Sequence, residues 1–244
     1  GASWQEPAKS EVGNLGIVQN LVTALRQIYG SPSTWPFVYH SSSSEVFAAA
    51  ASCPQDEATP LAPLSPYGEH KAQAQRLLAS YREEGARIAI GIPYNHESPR
   101  RPRQFVTRKI SSGVAELAAG IRSDLSLGSL EAKRDWLFAG DFAQAVREIL
   151  LGGFADDFVI SSGSEHSVRD FVSTALTVVG LAERWDLVTA DAIPPREKEP
   201  LRLVGDSTKL QATTGWTPTT SFPELVKMMV VADQARLTRL GSAE

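Results

Sequence analysis

The chain has 244 residues, of which 42% are hydrophobic and 21% charged, a balance typical of a globular protein with a substantial core. A formal net charge of −4 gives no electrostatic reason to expect nucleic acid or an anionic membrane as a partner. The single cysteine, Cys53, excludes an internal disulfide and is typical of a reducing cytoplasm. No apolar stretch reaches the roughly 18 residues of a membrane span, so we expect a cytoplasmic protein.

The first predicted element is an amphipathic helix over residues 12–28. Apolar residues recur there at helical spacing and form a wide stripe that we expect to be buried. Gly30, followed closely by a proline, ends this helix. The apolar run at residues 37–39 predicts a buried strand that leads into a serine-rich turn.

The rest of the chain continues to alternate between strands and helices. Ser65 and Pro66 predict the start of a helix that runs to about Glu84, with Gly85 as its C-cap. Further helices are predicted over residues 105–121 (with a break at Gly113), 141–150, 168–179 and 222–240, and strands over 87–92, 125–127 and 158–160. Residues 191–199 are rich in proline and charge and predict a surface loop over a cleft.

This alternation favours a parallel sheet with helices on both faces. No glycine-rich phosphate loop occurs anywhere before the strand at residues 37–39. We therefore expect an α/β fold with an incomplete doubly wound, Rossmann-like parallel sheet and a smaller, mostly helical C-terminal lobe.

Four side chains suggest proton-transfer chemistry. Tyr67 and Lys71 lie four residues apart, so they share one face of the predicted helix, and the lysine charge predicts a lowered pKa for the Tyr67 phenol. Ser43 and Glu45 follow a predicted strand, and the carboxyl ends of parallel strands line ligand crevices. Ser43 is a candidate to bind the hydroxyl that Tyr67 deprotonates, and Glu45 is a candidate second acid or base. The alternatives are a solvated helix face and a flexible turn at residues 41–44.

Three motifs resemble the extended short-chain dehydrogenases/reductases: Phe37-Val-Tyr-His-Ser-Ser-Ser-Ser-Glu45, Ser65-Pro-Tyr-Gly-Glu-His-Lys71 and Asn95-His-Glu-Ser-Pro-Arg-Arg101. The third motif, together with Phe105-Val-Thr-Arg-Lys-Ile110, resembles more narrowly the GDP-mannose 4,6-dehydratase family. The resemblance covers essentially the whole chain in order.

The resemblance implies a lyase that uses bound NADP as a transient hydride carrier and a nucleotide sugar, GDP-mannose, as substrate. It implies that Tyr67, aided by Lys71, takes a hydroxyl proton as a hydride leaves C4 of the mannose ring. Glu45 would then remove the C5 proton and help to expel the C6 hydroxyl, with Ser43 in the place of a family threonine. Return of the hydride to C6 gives GDP-4-keto-6-deoxymannose.

The remaining site residues follow from the same resemblance. The positions that it assigns to the cofactor are Tyr67, Lys71, His96 and Arg101, and those that it assigns to the sugar nucleotide are Asn95, Lys109 and Arg134. Arginine and lysine suit phosphate oxygens, although Arg134 and the neighbouring Asp135 can also be read as an ordinary surface pair. We expect no metal site, because the remaining histidines have no metal-ligand spacing.

The resemblance also predicts the organisation of the chain. Residues 1–94 would be the remnant of a dinucleotide-binding domain and residues 95–244 mainly a substrate lobe, with residues 139–151 packing back on the first part. Because the glycine-rich loop is absent from the sequence, we expect activity only in a longer chain. Residues 12–28 and 66–84 match helices that form a four-helix contact in family dimers, so a homodimer or homotetramer is expected.

Three positions depart from the family pattern. Phe47-Ala48 stands where the family has Tyr-Gly, Phe138 where it tends to have His, and Glu199-Pro200 where it has Arg-Pro. The carboxylate near the nucleotide phosphates and the missing glycine-rich loop leave one alternative open each. The first is a related nucleotide-sugar epimerase or dehydratase with another donor, and the second is a degenerate, non-catalytic binding or assembly partner.

Overall fold

The computed structural model describes residues 2–190 and 202–241, so the predicted loop at 191–199 lies outside the described residues. The described helices are α1 (Ala2–Gln5), α2 (Pro7–Glu11), α3 (Ile17–Tyr29), α4 (Pro66–Glu83), α5 (Val106–Ala118), α6 (Ala139–Gly152), α7 (Val168–Val178), α8 (Thr208–Thr214) and α9 (Phe222–Gly241). The described strands are β1 (Val38–Ser41), β2 (Ile88–Pro93), β3 (Asn95–Glu97), β4 (Leu125–Leu127), β5 (Lys133–Phe138), β6 (Asp157–Ile160), β7 (Glu165–Ser167) and β8 (Val188–Ala190). None of these helices is both long and apolar enough to cross a bilayer.

The main sheet has three parallel strands in the order β1-β2-β6. Every residue of the central strand β2 is buried, whereas all four residues of β1 are only partly buried. The predicted strand is present, but the prediction that it is buried is wrong, since it is only partly buried. Among the described residues, β1 pairs with a neighbour on one side only.

Helices cover both faces of this sheet, as the alternation in the sequence predicts. Ile88 and Ile90 of β2 pack into a core with residues of α3 and α4. Ala89, which points to the opposite face, packs into a second core with residues of α6, β6 and α8. The arrangement confirms an α/β fold with a Rossmann-like parallel sheet.

The C-terminal part is built around a third core formed by α5, α7 and α9. It also contains two short sheets, β3-β5-β7 and β4-β8, most of whose strands the sequence did not predict. Three of the four missed strands, β3, β7 and β8, have only three residues, which is too few to show an alternating pattern. The predicted helix break at Gly113 is wrong, since α5 is continuous there. A Cβ at this position would lie 2.6 Å from the Leu125 Cδ1, so the glycine lets β4 approach α5.

His40 of β1 makes the stability of the chain depend on pH. Its Nε2 is buried without a hydrogen-bond partner in the part of the chain that the structure describes. Burial, and then the charge of Lys71, lowers the pKa of His40 from 6.5 to about 4. Because folding favours neutral His40, its contribution to stability is present above pH 6.5 and is lost as pH falls toward 4.

We expect wild-type protein to lose about 2 kcal/mol more of its unfolding free energy than His40→Gln between about pH 7 and about pH 5. Urea unfolding at both pH values measures this difference. His70→Gln is the matched control, because its imidazole is only partly buried and contacts the Ser10 hydroxyl at 3.3 Å. Equal losses in wild type and His40→Gln would contradict the assignment.

Candidate functional site

Ser43 and Glu45 lie where β1 ends. Ser43 begins a 3-10 turn, Ser44–Phe47, and its Oγ accepts a hydrogen bond from the Glu45 N–H at 3.3 Å. Val46 and Phe47, which are 0% and 1% exposed, anchor this turn in the core. The segment is thus capped and packed, which favours an ordered site over the alternative of a flexible turn at residues 41–44.

The first turn of α4 lies directly against Glu45. Ser65 caps this helix by accepting a bond from the Gly68 N–H at 3.0 Å, and its hydroxyl donates to Glu45 Oε2 at 3.4 Å. A Cβ at Gly68 would lie 2.7 Å from the carbonyl oxygen of Glu45, so this approach requires glycine. The predicted start of the helix at Ser65 and Pro66 is confirmed, and it brings Tyr67 beside Ser43 and Glu45.

Tyr67 and Lys71 share one face of α4, with the Lys71 Nζ 5.9 Å from the centroid of the Tyr67 ring. The Nζ donates to the carbonyl oxygen of Ser41 at 2.9 Å, which ties α4 to the end of β1. Tyr67 also borders a cavity of ≈ 430 Å³ that is lined as well by residues of α1 and α2 and by Glu6 between them.

The predicted lowering of the Tyr67 pKa is wrong for this state of the protein. Burial raises the pKa of the phenol, and a hydrogen bond with Ser43 opposes the rise. The nearby Glu45 carboxylate adds to the rise, whereas the Arg101 charge reduces it. Burial likewise lowers the pKa of the Lys71 ammonium. The desolvation of Tyr67 therefore outweighs the opposing charge and hydrogen bond.

His96 and Arg101 lie on the same side of the molecule as Tyr67. The His96 ring stacks on Phe142 of α6, with the centroids 4.5 Å apart, and its Nδ1 lies 3.0 Å from the carbonyl oxygen of Tyr94. Burial lowers the pKa of His96, and the Arg101 charge lowers it further. The charge of Arg101 lowers the pKa of both His96 and Tyr67, so these three groups lie close enough to interact electrostatically.

Asn95 and Arg134 share the second sheet, whereas Lys109 lies on another element. Asn95 of β3 is opposite Trp136 of β5, and Arg134 of β5 is opposite His166 of β7. Trp136 and His166 also border a cavity of ≈ 350 Å³. Lys109 is exposed in the first turn of α5. The structure thus joins two of the three predicted substrate residues through strand pairing.

Asp135 is an organising residue that the sequence did not reveal. It is 0% exposed, and its carboxylate accepts bonds from the N–H groups of Ser162, Gly163 and Gly205 at 2.9, 3.1 and 3.3 Å. The Ser162 hydroxyl also donates to it at 2.6 Å. An ordinary surface pair with Arg134 is therefore the wrong interpretation. These donors lie 27 to 70 residues away in the chain, so no local pattern signals them.

Comparison with known proteins identifies the family of the chain. The family described as GDP-mannose 4,6 dehydratase matches residues 1–229. The GDP-mannose 4,6 dehydratase of Homo sapiens is 40% identical over 212 aligned positions, and the match covers 80% of this chain and 57% of that protein. The enzyme of that name from Vibrio cholerae is 34% identical, over 95% of this chain and 69% of that protein.

Solved structures show the same fold. The structure of RMD from Pseudomonas aeruginosa, complexed with NADPH, aligns with a TM-score of 0.84 at 24% identity, over 96% of this chain and 77% of that one. DesIV, a dTDP-glucose 4,6-dehydratase from Streptomyces venezuelae, aligns with a TM-score of 0.81 over 98% and 70%. The chain spans little more than half the length of several curated relatives that it matches. The family match over 229 of 244 residues and the identity to these relatives show that the chain belongs to the GDP-mannose 4,6-dehydratase family.

Proposed function

We propose that this chain carries the catalytic site for the dehydration of GDP-mannose to GDP-4-keto-6-deoxymannose. The observation that supports this most is the convergence of Ser43, Glu45, Tyr67 and Lys71 at the carboxyl end of β1. A simple reductase needs one proton-transfer group, whereas a dehydratase needs a second one for C5 and C6. Glu45, which is held 3.4 Å from Ser65 beside Tyr67, supplies this second group.

NADP is the proposed cofactor, and the donor set around Tyr67 fits it. Lys71 and Arg101 are cationic, and His96 lies near Arg101, which suits the ribose hydroxyls and phosphates of a dinucleotide. The related RMD structure is complexed with NADPH. When bound, NADP supplies a reversible hydride acceptor, so the net reaction is a loss of water without net oxidation.

The protein's part in the reaction is proton transfer and positioning. Tyr67 accepts the proton of the C4 hydroxyl while Ser43 holds that hydroxyl by a hydrogen bond. Once C4 is a ketone, the proton on C5 becomes acidic, and Glu45 removes it. Glu45 then gives the proton to the C6 hydroxyl, which leaves as water, and a C5–C6 double bond forms. When the hydride returns to C6, C5 takes up a proton from solvent through Glu45, and Tyr67 releases the proton of the C4 hydroxyl to solvent. Lys71 fixes the geometry of α4 through the Ser41 carbonyl and stabilises the Tyr67 phenolate during proton transfer.

Asn95, Lys109 and Arg134 are the proposed contacts for the sugar and its diphosphate. The cavity beside Trp136 and His166 offers space of ≈ 350 Å³ along the strands that carry Asn95 and Arg134. Bidentate contacts from Arg134 and a point charge from Lys109 suit phosphate oxygens.

Calorimetric titration of the chain with NADPH, followed by GDP-mannose, tests this proposal, and mass spectrometry of the products completes it. The proposal predicts micromolar binding of NADPH by this chain and a product lighter than GDP-mannose by one water. That result would overturn the expectation, drawn from the missing glycine-rich loop, that only a longer chain is active. dTDP-glucose is the control substrate. If it is dehydrated in preference to GDP-mannose, the result would favour the alternative of a related dehydratase with another nucleotide-sugar donor. Binding of neither cofactor nor sugar nucleotide would contradict a catalytic role for this chain.

We also propose that the chain is a homodimer or homotetramer. Helix α3 has one buried apolar stripe, Val18, Val22 and Leu25, and a second apolar stripe that is exposed. The second stripe consists of Ile17, Leu21 and Ile28, which are 61%, 42% and 71% exposed. A helix that is apolar on two faces is typical of one that is covered on both.

The variant Ile17→Asp/Ile28→Asp is expected to weaken self-association at least about a hundredfold, because it places charges in an apolar contact. Sedimentation equilibrium of wild type and variant measures this effect. Leu151→Asp is the matched control, since Leu151 is 69% exposed and lies on α6, away from α3. A wild-type chain that is monomeric at micromolar concentration would contradict the interface.

A further inference from the structure

We infer that Glu97 is the positioning residue for Arg101: its buried carboxylate holds the guanidinium beside Tyr67 and His96. Glu97 ends β3, one residue after His96, and is 2% exposed. Its Oε2 lies 3.3 Å from the Arg101 Nε, which is an ion-pair contact without hydrogen-bond alignment. That Arg101 contributes to NADP binding rests on the proposed function, whereas the role of Glu97 in positioning Arg101 does not.

The carboxylate of Glu97 is itself fixed from a second direction. The Thr107 hydroxyl, in the first turn of α5, donates to the same Oε2 at 2.7 Å. Burial raises the pKa of Glu97, and both Arg101 and Thr107 oppose the rise. A buried carboxylate that loses its cation is strongly disfavoured, so Glu97 and Arg101 constrain each other.

Arg101 is held more firmly than its neighbour in the same loop. Its guanidinium lies 3.6 Å from the centroid of the Phe105 ring, and its side chain is 22% exposed. Arg103 pairs with Glu116 but remains 63% exposed. The stacking and the ion pair restrict the rotamers of the Arg101 side chain. This restriction pre-organises Arg101 and lowers the entropy cost of a contact with the cofactor.

The backbone of the loop is anchored independently of Glu97. Arg236 of α9 donates to the carbonyl oxygen of Pro99 at 2.6 Å and pairs with Asp233 at 2.8 Å. Asp233 in turn is buried and pairs with Arg108 of α5. Loss of the Glu97 charge should therefore release the side chain of Arg101 without unfolding the loop.

The test compares Glu97→Gln, Arg101→Gln and the double variant by the NMR titration of His96 in the protein without cofactor. The Glu97→Gln change keeps the size of the side chain and the bond from Thr107 but removes the charge that holds Arg101. If Arg101 is released, the pKa of His96 rises in Glu97→Gln, as it does in Arg101→Gln. If Arg101 stays in place, its charge still opposes protonation of His96, and that pKa does not rise. The presence or absence of a rise therefore distinguishes the two outcomes.

We expect Glu97→Gln to raise the pKa of His96 in the wild-type background but not in the Arg101→Gln background. We also expect it to weaken NADPH binding by about tenfold, measured by calorimetry. Glu116→Gln, which removes a carboxylate that pairs with Arg103 and Arg122, should change neither quantity. An unchanged or lowered pKa of His96 in Glu97→Gln would overturn the inference, whether or not NADPH binds. Absence of NADPH binding in wild type would instead overturn the proposed function, and the NMR result would still decide the role of Glu97.

Discussion

Replacement of Tyr67 by phenylalanine is expected to lower kcat for dehydration by about a thousandfold with little change in KM. The ring would keep its place on α4, but the group that accepts the hydroxyl proton would be lost. Burial raises the pKa of Tyr67, so only a small fraction is phenolate near neutral pH. In wild type, kcat/KM should therefore rise as pH increases, because the base must be deprotonated to accept a proton.

Product formation from GDP-mannose at several pH values measures both effects. The alkaline rise in kcat/KM should be absent from Tyr67→Phe. Tyr81→Phe is the matched control, because Tyr81 lies on the same helix but packs against Trp35, with ring centroids 5.0 Å apart. A loss of less than about tenfold in Tyr67→Phe would show that another group accepts the proton.

The second large effect concerns Asp135 and is independent of catalysis. Asp135→Ala is expected to lower the free energy of unfolding by about 4 kcal/mol. Its carboxylate accepts bonds from three backbone N–H groups and one hydroxyl, and the variant would leave these donors without this acceptor. The Gly205 N–H among them is buried. Asp135→Asn should lower the free energy of unfolding by less. The amide oxygen of asparagine can still accept some of these hydrogen bonds, whereas its NH₂ group cannot accept the others.

Urea unfolding of the three proteins measures this order of stability. Asp124→Ala serves as control, since Asp124 is exposed and should change stability by less than about 0.5 kcal/mol. If Asp135→Ala were as stable as wild type, the segment at Ser162–Gly163 and Gly205 would not depend on this carboxylate. Such a result would also show that the Asp135 contact does not stabilise the packing of β5 against the segment after β6.

The parts of the site that the sequence predicted are those whose signals are local. Ser65 and Pro66 start a helix through their own side chains and backbone preferences, and a spacing of four residues then fixes the shared face of Tyr67 and Lys71. The strand end before Ser43 is equally local, because it rests on a short apolar run. These features were predictable without knowledge of the rest of the chain.

The features that were missed or wrong depend on distant neighbours. The donors to Asp135 come from the segment after β6 and from Gly205, and the partner that makes a glycine necessary at position 113 is Leu125. The pKa of Tyr67 depends on how much of the phenol is buried, which no helical spacing reveals. A local motif thus identifies the groups that react, whereas tertiary packing sets their protonation and orientation.

One isotope measurement tests the central claim most directly. The chain is incubated in D₂O with NADP and GDP-mannose that carries tritium at C4, and the product is analysed for the position of each label. If the four converging residues act as proposed, tritium moves to C6 and one deuterium from solvent appears at C5, where Glu45 exchanges the proton. Tritium that remains at C4, or a product without deuterium at C5, would contradict a dehydratase site built from Ser43, Glu45, Tyr67 and Lys71.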